Sequence, residues 1–519
     1  MKRSPSKYST YKTVLLLILI LFYNDVNAQT KNTFIKDSLD SYINEAMKMW
    51  NIPGVAVAIT KDDVLVYSKG FGVANVDTGS KVDENTLFPI WSMGKSFTAF
   101  SLALLEQRNQ LKLDDLVKHH FQNFKMENKD YENELNLIDL LAHRIGVETF
   151  QGDFLWSESR LTTTQLLEKW SNFKPRYPIR SGFQYSNYGY LIAGEVLEKV
   201  SKKTWQSFLT AEVLKPLAMN RGTLFTEDLK TNKNVARGHS KRKGTVKSMK
   251  AGQDSRIEPF GGMYSSVNEM IVWIQLQLDK GIIKGKRIFA ESIFDRVQKP
   301  YNSIGKMYLP DGSNPHVNYC LGWETRDYFG KEVITHGGAY HGFLTMMGFV
   351  PQEKLGFVIL TNSDAHELTE ALKWQIVDAY INKPFKNHAQ SMFEFTQAEE
   401  IRREQWLQVM SDSVALKIKT KIPLKRFEGY YQNKIYGIIQ VKLIGADTLQ
   451  LQFEHHPSLT ATLKHISDNR FFCTYSNQMF GEVVIPFEEK NSKIVSFELS
   501  VDPLVEFTTY QFIKFKEGS

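Results

Sequence analysis

The sequence predicts an α+β fold: an antiparallel sheet flanked by helices, a helical region beside it, and then a small all-β unit. Three observations predict it. A strand pair lies near the start, within residues 55–67. A second lies at 344–361, with helical and loop segments between the two. From residue 427 the pattern changes to short alternating strands. Strand pairs at both ends of a region place those ends in one sheet, with the helices packed against it.

The chain opens with Lys2, Arg3, Lys7 and Lys12, followed by an apolar run at 14–23. Val26-Asn27-Ala28 resembles a small-residue cleavage site. Residues 1–28 are therefore expected to be a secretory signal, and the protein to be exported, periplasmic or secreted. The run is short for a membrane span and no later stretch reaches its length. No stable membrane insertion is expected after cleavage; an uncleaved anchor is the alternative. Losing the leader removes four cations and one anion, so the formal net charge falls from +7 to +4. So mild an excess on a large chain gives no case for nucleic-acid binding.

Residues 35–49 read as an amphipathic helix, and Asn51-Ile52-Pro53-Gly54 as a turn. Val55-Ala56-Val57-Ala58-Ile59 is a buried strand, turned at Asp62-Asp63 into its hairpin partner at 64–67. The later hairpin joins 344–350 to 355–361 through Pro351-Gln352-Glu353-Lys354. A helix near 367–381 closes the region, and Asn382-Lys383-Pro384 breaks the chain. The expected domains are a large one at 29–382, a linker with a charged helix at 383–424, and an antiparallel β domain at 425–519. In the last, Leu449-Gln450-Leu451-Gln452-Phe453-Glu454 alternates apolar and polar residues, as a half-buried strand does. About eight such strands imply a small barrel or sandwich. Cys320 and Cys473 fall in different domains. Two unrelated free thiols are expected rather than a bridge, so the cores hold the fold.

The chemistry begins at Ser92-Met93-Gly94-Lys95. Helical spacing of three puts both side chains on one face. A lysine amine can take the serine's proton if burial lowers its pKa, toward about 7–8. Ser-x-x-Lys also starts at Ser4, Ser9, Ser171, Ser240 and Ser303. Only Ser92 is followed by a long apolar helix, at 97–105; Ser240 sits in a basic run that reads as a solvated loop. Read alone, Ser92 is equally an ordinary first-turn serine.

Tyr185-Ser186-Asn187 precedes another apolar helix, at 191–200. A tyrosine passes protons if nearby cations lower its pKa, and an asparagine amide can bind a carbonyl and a lysine together. His336-Gly337-Gly338-Ala339 follows the strand Val333-Ile334-Thr335, and two glycines on a strand edge let a substrate approach closely. The backbone N–H groups of Ser92 and Ala339 could form an oxyanion hole. The alternative for this stretch is a glycine-rich turn with an incidental histidine. The chain has no Gly-x-Ser-x-Gly elbow, no His-Glu-x-x-His and no phosphate-binding glycine loop, so no metal and no cofactor are expected.

Taken in order, Ser92-x-x-Lys95, Tyr185-x-Asn187 and His336-Gly337-Gly338 resemble the motifs of the serine β-lactamase-related family. That group contains class C β-lactamases, D-aminopeptidases, D-peptidases and many esterases. Ile52-Pro53-Gly54-Val55-Ala56-Val57, Leu140-Leu141-Ala142-His143-Arg144-Ile145-Gly146-Val147 and Phe260-Gly261-Gly262-Met263-Tyr264-Ser265-Ser266 resemble its flanking segments. The likeness covers residues 35–382. The last strands resemble the lipocalin-like domain appended to many members.

The resemblance implies a catalytic set of Ser92 as nucleophile, Lys95 as its activator and Tyr185 as general base and acid. It implies substrate contacts from Asn187, His336, Gly337 and Gly338. Penicillin-active members usually carry lysine where His336 stands. A histidine is charged only part of the time near neutral pH, which discounts β-lactamase activity. His341 is a further departure, lining the cleft or merely packed there.

The expected activity is an exported serine hydrolase of the esterase type, acting on a small-molecule or peptide substrate. The alternatives are a peptidase or amidase acting on D-amino-acid peptides or cell-wall fragments, and a slow-acylating sensor or ligand-binding protein. Loops at 107–135, 148–180 and 225–258 are expected to set specificity.

Overall fold

The computed structural model describes residues 33–515, apart from 123, 223, 225–228, 230, 243–244, 250–256 and 310–311. The expected leader and part of the loop at 225–258 lie outside the described residues.

Eight strands form the main sheet. They are β1 (Gly54–Lys61), β2 (Val64–Gly72), β3 (Asn302–Lys306), β4 (His316–Tyr319), β5 (Glu324–Tyr328), β6 (Lys331–Tyr340), β7 (Phe343–Val350) and β8 (Leu355–Thr361). The order across the sheet is β2-β1-β8-β7-β6-β5-β4-β3, antiparallel throughout. β1 pairs with β8 in the register Val55 to Thr361, so both ends of the domain meet in one sheet.

The reason β1 reads as an unbroken apolar run is visible in its two faces. Val55, Val57 and Ile59 enter the core shared with α1 (Leu39–Trp50) and the closing helix Leu368–Tyr380. Ala56 and Ala58 enter the other core, with Phe97 and Trp273. A strand covered on both faces loses the polar half of its alternation. The alanines leave room for Phe97 and Trp273, stacked at 4.0 Å.

Two more helices position the site. α2 (Gly94–Gln107) is buried from Gly94 to Leu105, and α3 (Asn187–Ser201) starts where the Ser186 side chain caps it by accepting from Gly189 N. Ser240, expected in a solvated loop, lies in the strand His239–Arg242 and is buried.

A 28-residue helix, His388–Ala415, leads to a closed barrel of eight antiparallel strands. They run β9 (Gly429–Asn433), β10 (Gly437–Ile444), β11 (Thr448–Phe453), β12 (Thr460–Ser467), β13 (Arg470–Tyr475), β14 (Glu482–Lys490), β15 (Lys493–Leu499) and β16 (Tyr510–Phe515). Pairing of β9 with β16 closes the ring and leaves no free edge. Its inward faces are filled by Phe427, Tyr431, Phe471, Phe487 and Phe497, so the interior is a packed core. Cys320 and Cys473 are both buried free thiols. Among the described residues no helix is long and apolar enough to cross a membrane.

Candidate active site

Ser92 sits in a 3-10 turn, Trp91–Met93, that opens α2. Trp91, immediately before it, holds φ at +46°. A bulky residue in that region costs on the order of 1–3 kcal/mol, and such strain concentrates at functional sites. One turn on, Lys95 is fully buried. Its Nζ lies 3.0 Å from Ser92 Oγ, 2.6 Å from Asn187 Oδ1 and 3.3 Å from the Phe260 carbonyl. The rings of Tyr185, Phe260 and Tyr190 stand 4.8, 5.3 and 5.4 Å from it. Burial pushes the amine well below the usual lysine pKa, with the Asp153 carboxylate opposing.

These contacts fix which way a neutral Lys95 points. The Phe260 oxygen can only accept. The Asn187 oxygen is oriented because its own Nδ2 donates to Asp153 Oδ2 at 2.6 Å. A neutral amine has two N–H donors and one lone pair. Both donors are taken, so the lone pair is left for the Ser92 hydroxyl. The arrangement can therefore draw a proton from Ser92.

Tyr185 is half-buried, and its hydroxyl faces Ser92, which opposes part of the effect of burial on the phenol. Its ring packs on His143 at 4.2 Å and Phe150 at 5.4 Å. The expectation that nearby cations lower its pKa is corrected. Burial raises it well above the usual phenol value, and burial pushes the nearest cation candidate, Lys95, toward losing its charge. Tyr185 stands near Ser92 as an intact phenol, which has a proton to give and is not a base.

Gly337, Gly338 and Ala339 continue β6 past the end of β5, whose pairing with it stops at Thr335. The stretch expected as either strand edge or turn is strand, paired to β7 through Tyr340. A Cβ on Gly338 would lie 2.4 Å from Ile90 O and 3.1 Å from Ser92 N. The glycine is what lets β6 reach the backbone of Ser92.

His336 is corrected from an intermittent cation to a neutral ring. It is 3 % exposed. Its Nδ1 lies 2.7 Å from the Gly337 carbonyl, which can only accept, so Nδ1 carries the proton. Nε2 then accepts from Tyr319 Oη at 2.9 Å. Burial lowers its pKa to about 3, with Lys95 adding to the effect. Both nitrogens are used inside the protein, so His336 offers a substrate no charge. His341 packs: it is buried and pairs with Glu158 at 3.1 Å.

Sequence reasoning missed Asp153, Phe260, Tyr319 and Glu506. Asp153 lies within the segment 148–180 expected to set specificity, and there it orients Asn187. Trp156 Nε1 donates to its other oxygen at 2.9 Å, and burial raises its pKa to about 8. Among the described residues no cluster of three or more His, Cys, Asp or Glu side chains could hold a metal ion.

The chain matches the Beta-lactamase family model over residues 39–380. Unguisins hydrolase ungD of Aspergillus violaceofuscus is 22% identical over 501 residues, 88% of this chain and 86% of that protein. Protein flp of Staphylococcus aureus is 26% identical over 351 residues, 66% of this chain and 67% of that protein. The octameric penicillin-binding protein homologue from Pyrococcus abyssi superposes with a TM-score of 0.57 at 23% identity, covering 92% of this chain and 99% of that one. A class C beta-lactamase superposes at 0.56 and 19% identity, covering 69% and 98%. At these identities the structural likeness is one of fold.

Proposed function

The chain belongs to the beta-lactamase family of serine hydrolases, and from that premise we propose that it is an exported esterase-like enzyme whose acyl-enzyme forms on Ser92. The observation that carries this reading is the buried Lys95 amine, 3.0 Å from Ser92 Oγ with its other contacts fixed as acceptors. Export rests on the leader at residues 1–28 alone.

Lys95 takes the hydroxyl proton as Ser92 Oγ attacks the ester carbon. The developing oxyanion is held by the N–H groups of Ser92 and Ala339. Tyr185 gives its phenolic proton to the leaving alkoxide and is reprotonated from the Lys95 ammonium. Water then attacks the acyl-enzyme, with the same groups removing its proton and returning one to Ser92. The products are the free acid and the alcohol.

Two features favour an uncharged ester. A phenol with a raised pKa is a weak proton donor, and an alkoxide leaves with less help than an amine. A neutral His336 supplies no cation for a substrate carboxylate. Both weigh against a β-lactam or a peptide acid.

The test is hydrolysis of p-nitrophenyl butyrate by the full chain beside Ser92→Ala. Steady turnover that is lost in the variant is expected. Release of a single equivalent would replace the enzyme reading with a stalled, sensor-like acyl-protein, and equal rates in both proteins would remove Ser92 as nucleophile.

A further inference from the structure

Glu506 is part of the barrel in sequence, in the connection between β15 and β16, yet it anchors the segment beside Lys95. It is 2 % exposed. Four donors converge on its carboxylate: Gly152 N at 2.8 Å, Phe154 N at 3.1 Å, Tyr436 Oη at 2.7 Å and Tyr510 Oη at 2.5 Å. The two amides flank Asp153. Between these two tethers, the Asp153 side chain bonds Asn187, and Asn187 bonds Lys95. A continuous chain thus runs from the barrel to the amine: Glu506, the backbone of 152–154, Asp153, Asn187, Lys95.

We propose that Glu506 is a positioning residue for the Ser92–Lys95 pair, acting through Asp153 and Asn187, so that the barrel is a working part of the active site. This rests on Lys95 being the proton acceptor. The electrostatics follow the same path. Burial raises Asp153, and the Glu506 charge adds to it. Burial also raises Glu506, to about 7, against its four donors. An ionised Asp153 would hold a proton on Lys95; a neutral one releases it.

The other titratable groups facing this chain are out of range near neutral pH. Around Lys95, burial raises the phenols of Tyr185 and Tyr190 and lowers the imidazoles of His143 and His336. Around Asp153 and Glu506, it raises Tyr188, Tyr436 and Tyr510. Asp153 and Glu506, raised to about 8 and about 7, are left to titrate there, beside the Lys95 amine that burial pushes down.

The experiment is the pH profile of kcat/KM for p-nitrophenyl butyrate, on the full chain, for wild type, Glu506→Gln, Asp153→Asn and the double variant. With Gln at 506, Asp153 loses a neighbouring anion, ionises more readily and raises the proton affinity of Lys95. The acid limb is expected to move to higher pH by about half a unit or more, with kcat falling more than KM changes. In the Asp153→Asn background the shift should vanish, because the relay is cut. A Glu506→Gln limb that overlays the wild-type limb, or one that moves equally without Asp153, overturns the inference; so does a uniform loss of rate at every pH, the mark of a purely structural role. Should Glu506→Gln fail to fold, Tyr436→Phe removes one donor and keeps the carboxyl group. It should give a smaller shift of the same sign, and an unmoved limb overturns the inference. A wild type with no acid limb, or with activity that survives Ser92→Ala, is a different failure: it removes the functional reading, and this inference with it.

Discussion

Phe154 lies flat against His456, their ring centroids 4.6 Å apart and their planes within 6°. One residue comes from the sheet-bearing domain and the other from the barrel. The His456 Nε2–H also donates to the Phe154 carbonyl at 2.8 Å. Tyr436 and Phe480 complete the socket around the phenylalanine ring. Removing a buried aromatic of this kind costs about 3–5 kcal/mol. Phe154→Ala should lower the denaturant midpoint of the full chain accordingly. It should lower kcat as well, because Asp153 is the neighbouring residue. An unchanged midpoint would mean the socket contributes nothing to joining the domains.

Charge and basicity at position 95 can be separated. Arginine keeps a cation but is never neutral in a protein, so it has no lone pair to offer Ser92. Lys95→Arg should therefore be as inactive as Lys95→Ala, with kcat/KM on p-nitrophenyl butyrate down by about 10²–10⁴-fold. Substantial activity in the arginine variant would show that position 95 supplies a cation rather than a base.

Gly338→Ala tests the approach of β6 to the serine. The new methyl would meet Ile90 O at 2.4 Å and Thr345 Oγ1 at 2.6 Å, so the strand must withdraw from Ser92. Displacing one oxyanion donor costs about 10²–10³-fold in kcat. The loss should appear in kcat, together with a lowered thermal transition, because the clash is with backbone. A fully active variant would place the oxyanion donors elsewhere.

The buried histidines set an acid limit on stability. Burial lowers His336 and His366 to about 3 and His456 to about 4. Unfolded, each titrates near 6.5. Between those values the unfolded chain binds protons that the native state refuses, so these groups withdraw stability as pH falls below 6.5. Asp153 and Glu506 have the opposite sign: raised to about 8 and about 7, they favour the native state at low pH and lose that contribution as pH rises toward 8. His366 isolates the first effect, being held between Thr361 Oγ1 and Leu368 N, away from Ser92. His366→Gln should lower Tm more at pH 7 than at pH 5. An equal drop at both would mean His366 is charged in the native state.

What the sequence made legible follows the range of the interactions. Ser92 and Lys95 are one helical turn apart, so local periodicity is enough to pair them. The hairpins β1–β2 and β7–β8 are likewise local, and their apolar runs are bounded by turns. Glu506 and Gly152 bond across 354 positions, and no local pattern connects them. Asp153 reads as an ordinary loop acid until Asn187 is seen beside it. The last strand shows the same limit. Its pairing begins only at Tyr510, because Glu506 is held in the domain contact instead of the barrel wall. His336 was legible as a residue but not as a charge state, since Tyr319 and the depth of burial decide that.

The Val55–Thr361 register has a kinetic meaning. β1 is made among the first residues of the sheet and β8 among the last, about 300 positions later. Contacts so distant must overcome a large loop-closure entropy before they reward the chain, and they slow folding. During synthesis the run Val55-Ala56-Val57-Ala58-Ile59 stays without its second neighbour until nearly the whole domain has emerged. Until then it is an apolar strand with an open edge, the kind of surface that draws chaperones or other copies of the chain. The yield of folded protein should thus depend on how long that one segment waits, more than on the stability finally reached.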